Sequence, residues 1–85
     1  MRIVYDGPKR LKNIETHGLD FADLDLDFFV TALISPAKLA RFKAIGPFRD
    51  DVIAVIFSTL GSEALSIISM RRASRKERKV YDQTS

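Results

Sequence analysis

Lys9, Asn13 and His17 are spaced four apart in a segment of helical periodicity, which puts them on one helix face. A lysine, an amide and an imidazole in a row form a polar stripe that can follow a sugar–phosphate backbone; they equally form a face that simply meets water. His17 is the one histidine of the chain and the only side chain that titrates near neutral pH without perturbation. The C-terminus of a helix favours its protonated form. That suits a general acid donating to a leaving oxygen, or a cation beside a developing phosphorane. A histidine before glycine, as in His17-Gly18, is also an ordinary helix stop whose ring bonds a terminal carbonyl.

A second group of candidates lies on strands. Arg41 and Lys43 project from the same face of one alternating segment, and Ser69 and Arg71 share a face of another. If the sheet brings Arg41 beside Arg71, two guanidiniums can cradle one phosphate through bidentate hydrogen bonds; exposed strand arginines also serve solubility alone. The last segment, Arg71-Arg72-Ala73-Ser74-Arg75-Lys76-Glu77-Arg78-Lys79-Val80-Tyr81, sends a buried strand into a basic helix. Arg72, Arg75, Arg78 and Lys79 offer salt-dependent affinity for a polyanion. Glu77 can hold an arginine in place or pair at the surface, where such pairs are worth about 0–1 kcal/mol. Tyr81 can stack on a base or close the core.

Other chemistries find little support. The chain has no cysteine and one histidine, which excludes thiol chemistry and argues against a zinc site. The aspartates at 20, 23, 25 and 27 lack the glycine and terminal glutamate of a calcium loop, so no metal or cofactor is expected. No phosphate-binding glycine loop or serine nucleophile motif occurs. The net charge is +3, and the acidic block at 20–27 is separated from the basic one at 71–79, an asymmetry that suits a polyanion on one face. No apolar run approaches the roughly 18 residues of a membrane span. The start, Met1 to Asp6, is too short and polar for a signal peptide, so cytoplasm is the expected location.

Eighty-five residues suit one domain over 1–85 with one modest core. Arg2–Tyr5 reads as an edge strand. Asp6 caps a helix, with Pro8 in its first turn, that runs to His17 and stops at Gly18. Asp20 caps a second helix with Phe21, Leu24 and Phe28 inward. Strands follow at Val30–Ile34, ended by Ser35-Pro36, and at Leu39–Ile45, ended by a Gly46-Pro47 turn. The apolar run Val52–Phe57 predicts a central strand covered on both faces. Gly61-Ser62-Glu63 closes a hairpin into Ala64–Met70, and a final helix starts at Ala73 or Ser74. The order β-α-α-β-β-β-β-α predicts an α+β fold, a small antiparallel sheet with flanking helices.

The chain resembles the BrnT family of bacterial toxins over nearly its whole length. The resemblance is carried by Asp6, Lys9, Asn13, His17-Gly18 and Phe21, then by Arg41 with Ala44-Ile45-Gly46 and the strand Val52–Phe57, and finally by Ile67-Ile68-Ser69, Arg71, Ala73, Glu77-Arg78 and Tyr81. It implies a RelE-like fold and a metal-independent endoribonuclease that cleaves RNA, ribosome-bound mRNA included, by attack of a 2′-hydroxyl. It further implies a cognate antitoxin of ribbon-helix-helix type, through which the complex meets operator DNA. Catalysis would fall to Lys9, His17, Arg41 and Arg71, supported by Glu77. RNA binding would fall to Asn13, Lys43, Arg72, Arg75, Arg78, Lys79 and Tyr81.

The chain departs from that pattern in three places. The first turn reads Tyr5-Asp6-Gly7-Pro8, with the proline moved by one; Ser66 stands where the family commonly carries arginine; and Met70 replaces a small residue. These departures keep a second reading open, a weak or non-cleaving homologue that binds the antitoxin as a co-repressor or acts as a nucleic-acid-binding module.

Overall fold

Asp6 begins the fold's first helix as the sequence suggests: its carboxylate accepts the Lys9 N–H at 3.0 Å, and Gly18 ends the helix with φ 70°. The structure, a computed structural model, describes residues 1–84. Along it lie β1 (Arg2–Tyr5), α1 (Gly7–His17), a 3-10 turn (Phe21–Asp23), α2 (Leu26–Thr31), β2 (Leu33–Ala37), β3 (Arg41–Phe48), β4 (Asp51–Leu60), β5 (Ala64–Arg72) and α3 (Arg75–Thr84). The fold is α+β as expected, with the strands ordered β1-β5-β4-β3-β2. β2 to β5 run antiparallel in sequence, whereas β1 pairs parallel with β5, from Arg2↔Ala64 to Tyr5↔Ile67, so the sheet is mixed.

Several boundaries move for identifiable reasons. Val30 does not open a strand: it ends α2 with Thr31, 80% exposed, and β2 starts at Leu33. The second helix is split, because Asp20 caps the 3-10 turn while Asp25 accepts the Phe28 N–H at 3.1 Å and starts α2 afresh. Ser35-Pro36 stays within β2, since an edge strand needs donors on one side only. Leu39 and Ala40 form a tight turn at φ 61° and 59°, so β3 begins at Arg41. Gly46-Pro47 is strand, not turn. β3 continues to Phe48 because Gly46 lets Phe28 and Ala32 press against it, where a Cβ would lie 3.1 Å from both.

Alternation divides the sheet into two faces. One carries Ala44, Ile53, Val55, Phe57, Leu65, Ile67 and Met70, packed under Phe21, Leu24, Phe28 and Phe29. Phe21, Ile53, Ile67, Met70 and Val55 are essentially fully buried, each contributing about 1.5–3 kcal/mol. On the other face a second cluster of Ile45, Ala54 and Ala73 gathers Val52 and Tyr81 under α3. The rest of that face, including Arg41, Lys43, Ile56, Ser58, Ser66 and Ser69, is only partly buried. Among the described residues no helix is long and apolar enough to cross a membrane.

Candidate active site

The open sheet face is organised by one carboxylate. Glu77 lies in the first turn of α3, in a capping box: its N–H donates to Ser74 Oγ at 3.1 Å, and its Oε1 accepts the Ser74 N–H at 2.8 Å. The same carboxylate reaches down to the sheet. Arg71 donates to it twice, Nη1 to Oε1 at 2.7 Å and Nη2 to Oε2 at 3.0 Å, and Lys43 Nζ donates to Oε2 at 2.9 Å. The Glu77 side chain is only 10% exposed, against 33% for Arg71 and 31% for Lys43. The Arg71 hydrogen bonds hold the Glu77 carboxyl well below the usual carboxylate range; burial opposes this, and the Ser74 N–H and Lys43 add to it. In return Glu77 raises the Arg71 guanidinium above its ordinary value. Two cations and one anion leave a net positive charge, with both cations fixed and partly exposed.

Register locates the remaining candidates. Lys43 pairs across to Ile56, and Ile56 to Ser69; Ile45 pairs to Ala54, and Ala54 to Arg71. Arg71 and Ser69 therefore stand two residues apart on the open face, with Lys43 two strands away. Arg41 lies four residues from Ile45 along β3, which puts its backbone roughly 17 Å from that of Arg71. The expected Arg41–Arg71 cradle is thus replaced by a Lys43–Arg71 pair, with Arg41 further out on the same face.

α1 borders this face along the β5 edge. β1 stops at Tyr5↔Ile67, and beyond that point Asn13 completes the ladder: its Oδ1 accepts the Met70 N–H at 3.0 Å and its Nδ2 donates to Met70 O at 2.8 Å. Nδ2 also donates to Leu19 O at 2.8 Å. Asn13 is buried, and its amide N–H groups are committed to backbone, so the expected RNA contact does not fit this placement. Lys9 and His17, one turn to either side, are exposed and line a groove with Lys12, Thr16, Ile68 and Ser69. Ser69 joins this groove to the Lys43–Arg71 pair.

The other basic residues separate. Arg72 points away from Arg71, as neighbouring strand residues must, and its Nε meets Asp51 at 3.0 Å; Arg78 donates to the same carboxylate. The adjacent arginines therefore diverge to opposite faces of the sheet. The Val52 N–H and Arg78 hold the Asp51 carboxyl below its ordinary value. Arg75 and Lys79 are exposed on α3. Tyr81 packs on the Ile45–Ala54–Ala73 cluster, closing the core.

The acidic block is largely structural. Asp20 pairs with Arg10 through bonds of 2.7 and 2.8 Å and caps Ala22, which lowers its pKa to about 2. Asp25 caps α2, and Asp23 meets Arg49 at 3.3 Å. The sequence reading missed the Asp51 and Asp20 pairs, which no local spacing announces; it also missed the capping box, which the Ser74-x-x-Glu77 spacing does announce.

Comparison with known proteins agrees with the fold. Residues 5–77 match the family model described as the ribonuclease toxin, BrnT, of type II toxin–antitoxin systems. The 1.1 Å crystal structure of the Brucella abortus ribonuclease toxin BrnT is similar to this chain at 56% identity and a TM-score of 0.84, covering 88% of this chain and 99% of that one. No match is found among curated proteins.

Proposed function

The chain belongs to the BrnT family of type II toxin–antitoxin ribonuclease toxins, and we propose that it is a single-domain endoribonuclease, over residues 1–85, that uses the open sheet face as its active site. Its partners are RNA as substrate and a cognate antitoxin as inhibitor. The antitoxin is of ribbon-helix-helix type and carries the complex to operator DNA, and the protein works in the cytoplasm. The observation that carries this reading is the Arg71–Lys43 pair fixed on Glu77, a preorganised cationic site that needs no metal to meet phosphate charge.

Cleavage begins when a ribose O2′ forms a bond to the adjacent phosphorus. The bond from phosphorus to O5′ breaks, leaving a cyclic phosphate on one fragment and a 5′-hydroxyl on the other. One proton leaves the 2′-hydroxyl and one reaches O5′; Lys9 and His17, on the rim beside Ser69, share these two transfers. The N–H groups of Arg71 and Lys43 not directed at Glu77 face the extra charge on the phosphate oxygens. Arg41, further along the face, grips the backbone of the same strand. Arg75 and Lys79, with the outer faces of Arg72 and Arg78, add salt-dependent affinity.

The test is induced expression without antitoxin, following growth and cellular RNA, with His17→Ala and Arg71→Ala at equal protein level. Assay in the cell also covers a substrate presented on the ribosome. Growth arrest with new RNA fragments, abolished by either substitution, is the expected result; intact RNA and normal growth with soluble native protein would overturn the cleavage reading.

Ser66 motivates the second reading, a weak or non-cleaving antitoxin-binding homologue. It sits on the open face, paired with Ser58 and Val4, at the position where the family commonly carries arginine. On that reading Ser66→Arg produces fragments where the native chain produces few.

A further inference from the structure

β5 carries a bulge at the point where it meets α1. Ile56 pairs with Ser69 and Phe57 with Ile67, so Ile68 is left without a ladder partner. A bulge re-aims side chains and twists its strand locally, a device common beside active sites. Ile68 accordingly contributes to a groove otherwise lined by Lys9, Lys12, Asn13, Thr16, His17 and Ser69. The two sides of the groove are tied together, because Asn13 bonds the N–H and C=O of Met70 two residues beyond the bulge. Its volume is about 240 Å³, below the roughly 300–1,000 Å³ of sites that engulf whole ligands. Among the described residues no carboxylate lines it; its rim carries Lys9, Lys12 and His17, and Ser69 opens it toward Arg71.

An apolar floor under a cationic rim, continuous with a phosphate site, matches one nucleotide of a single strand: a flat base against Ile68 and a phosphate at the lysines. The geometry points to this groove as a seat for the base next to the scissile phosphate, with Ile68 as its floor and Lys12 as its phosphate anchor. The inference rests on the ribonuclease reading for the place of the scissile bond, while base seating itself is measured by binding.

The probe is a fluorescent nine-residue oligoadenylate with 2′-O-methyl riboses, which cannot supply the nucleophile, compared with a base-free strand of the same backbone and length. The native chain binds the base-bearing strand more tightly. Ile68→Ser removes that advantage, on the order of fivefold for some 40 Å² of apolar contact, and leaves binding of the base-free strand unchanged. Ile68 lies outside the ladder and is partly exposed, so the variant is expected to keep the native circular dichroism spectrum. Lys12→Ala, on the exposed side of α1, weakens both strands and lowers the slope of log affinity against log salt by about 0.7.

Equal native affinity for the two strands, or an Ile68→Ser variant that keeps the full advantage, overturns the base seat. Neither result touches the cleavage assay, whose failure in the native chain would instead remove the ribonuclease reading and leave base-dependent binding standing.

Discussion

Glu77→Gln separates the electrostatic role of Glu77 from its role in the capping box, since glutamine also serves at this position of the motif. With the amide oxygen at the Oε1 site, the bonds from Ser74 N–H and Arg71 Nη1 survive. The amide nitrogen then replaces Oε2 and turns donors toward Arg71 Nη2 and Lys43 Nζ, so two charge-assisted bonds are lost. Such bonds are worth about 1.5–3 kcal/mol each. Both cations are about a third exposed, so solvent screening roughly halves that. The expected loss is about 1.5–3 kcal/mol at pH 7, or roughly 6–24 °C in Tm for a domain of this size, read by urea and thermal unfolding.

The pH dependence carries the sign of the effect. A carboxyl group whose folded-state pKa lies below its unfolded value stabilises the fold above the unfolded value, and this contribution fades as pH falls toward the folded one. For Glu77 the unfolded reference is 4.5 and the folded value is far lower. The stability gap between native and Glu77→Gln proteins should therefore be constant above about pH 5 and shrink steadily below 4.5. A variant as stable as the native chain at pH 7, or a gap that stays flat down to pH 3, would refute the assignment of Glu77 as the anion holding both cations.

Other substitutions test the scaffold. Asn13→Ala removes three hydrogen bonds and leaves the Met70 N–H and C=O without partners at a buried site, so urea unfolding should show a loss of about 2–4 kcal/mol. Asp20→Asn breaks the Arg10 pair; because the Asp20 pKa is lowered from 3.8 to about 2, its contribution is full above 3.8 and fades toward 2. Chemical unfolding of this variant across that window should show a flatter acid limb than the native chain. Gly46→Ala drives a Cβ to within 3.1 Å of Phe28 and Ala32, and overpacking of this kind should cost about 1–3 kcal/mol in the same assay.

Much of this architecture was legible because its signals are local. Asp6 and Gly18 bracket α1, the continuous run at Val52–Phe57 marks the central strand, and the change from apolar alternation to a basic run after Arg72 places the start of α3 to within two residues. What the sequence hid is pairing. Nothing in Arg2–Tyr5 says that it will lie parallel to β5, and the proline rule misplaced two strand ends because Pro36 lies on the edge strand β2 and Pro47 lies past the last β2–β3 pair, Leu33↔Ile45, so neither needs to donate to a neighbour on its free side. Asn13 shows the same limit within the site. Its spacing with Lys9 and His17 is correct, yet that face of α1 abuts the β5 edge, so the middle residue of the stripe is buried against backbone while the outer two reach the groove. A polar side chain central to a face that must pack somewhere is expected to find backbone partners, and that was the available clue.

That one sheet face stays open follows from α3 itself. Its residues Arg75, Lys76, Arg78 and Lys79 cannot be laid on a sheet without desolvation, and its packing surface is little more than Tyr81 with the preceding Ala73. It therefore covers Ile45 and Ala54 and goes no further. Beyond it stand Lys43, Arg41, Ser58, Ser66 and Ser69, which tolerate water, around a half-buried Ile56, whereas the opposite positions on the same strands are Phe42, Ala44, Val55, Phe57 and Ile67, which do not. The two-residue alternation thus assigns one face to the core and leaves the other to solvent. On that solvent face a single buried carboxylate, Glu77, is enough to turn two flexible cations into a fixed site.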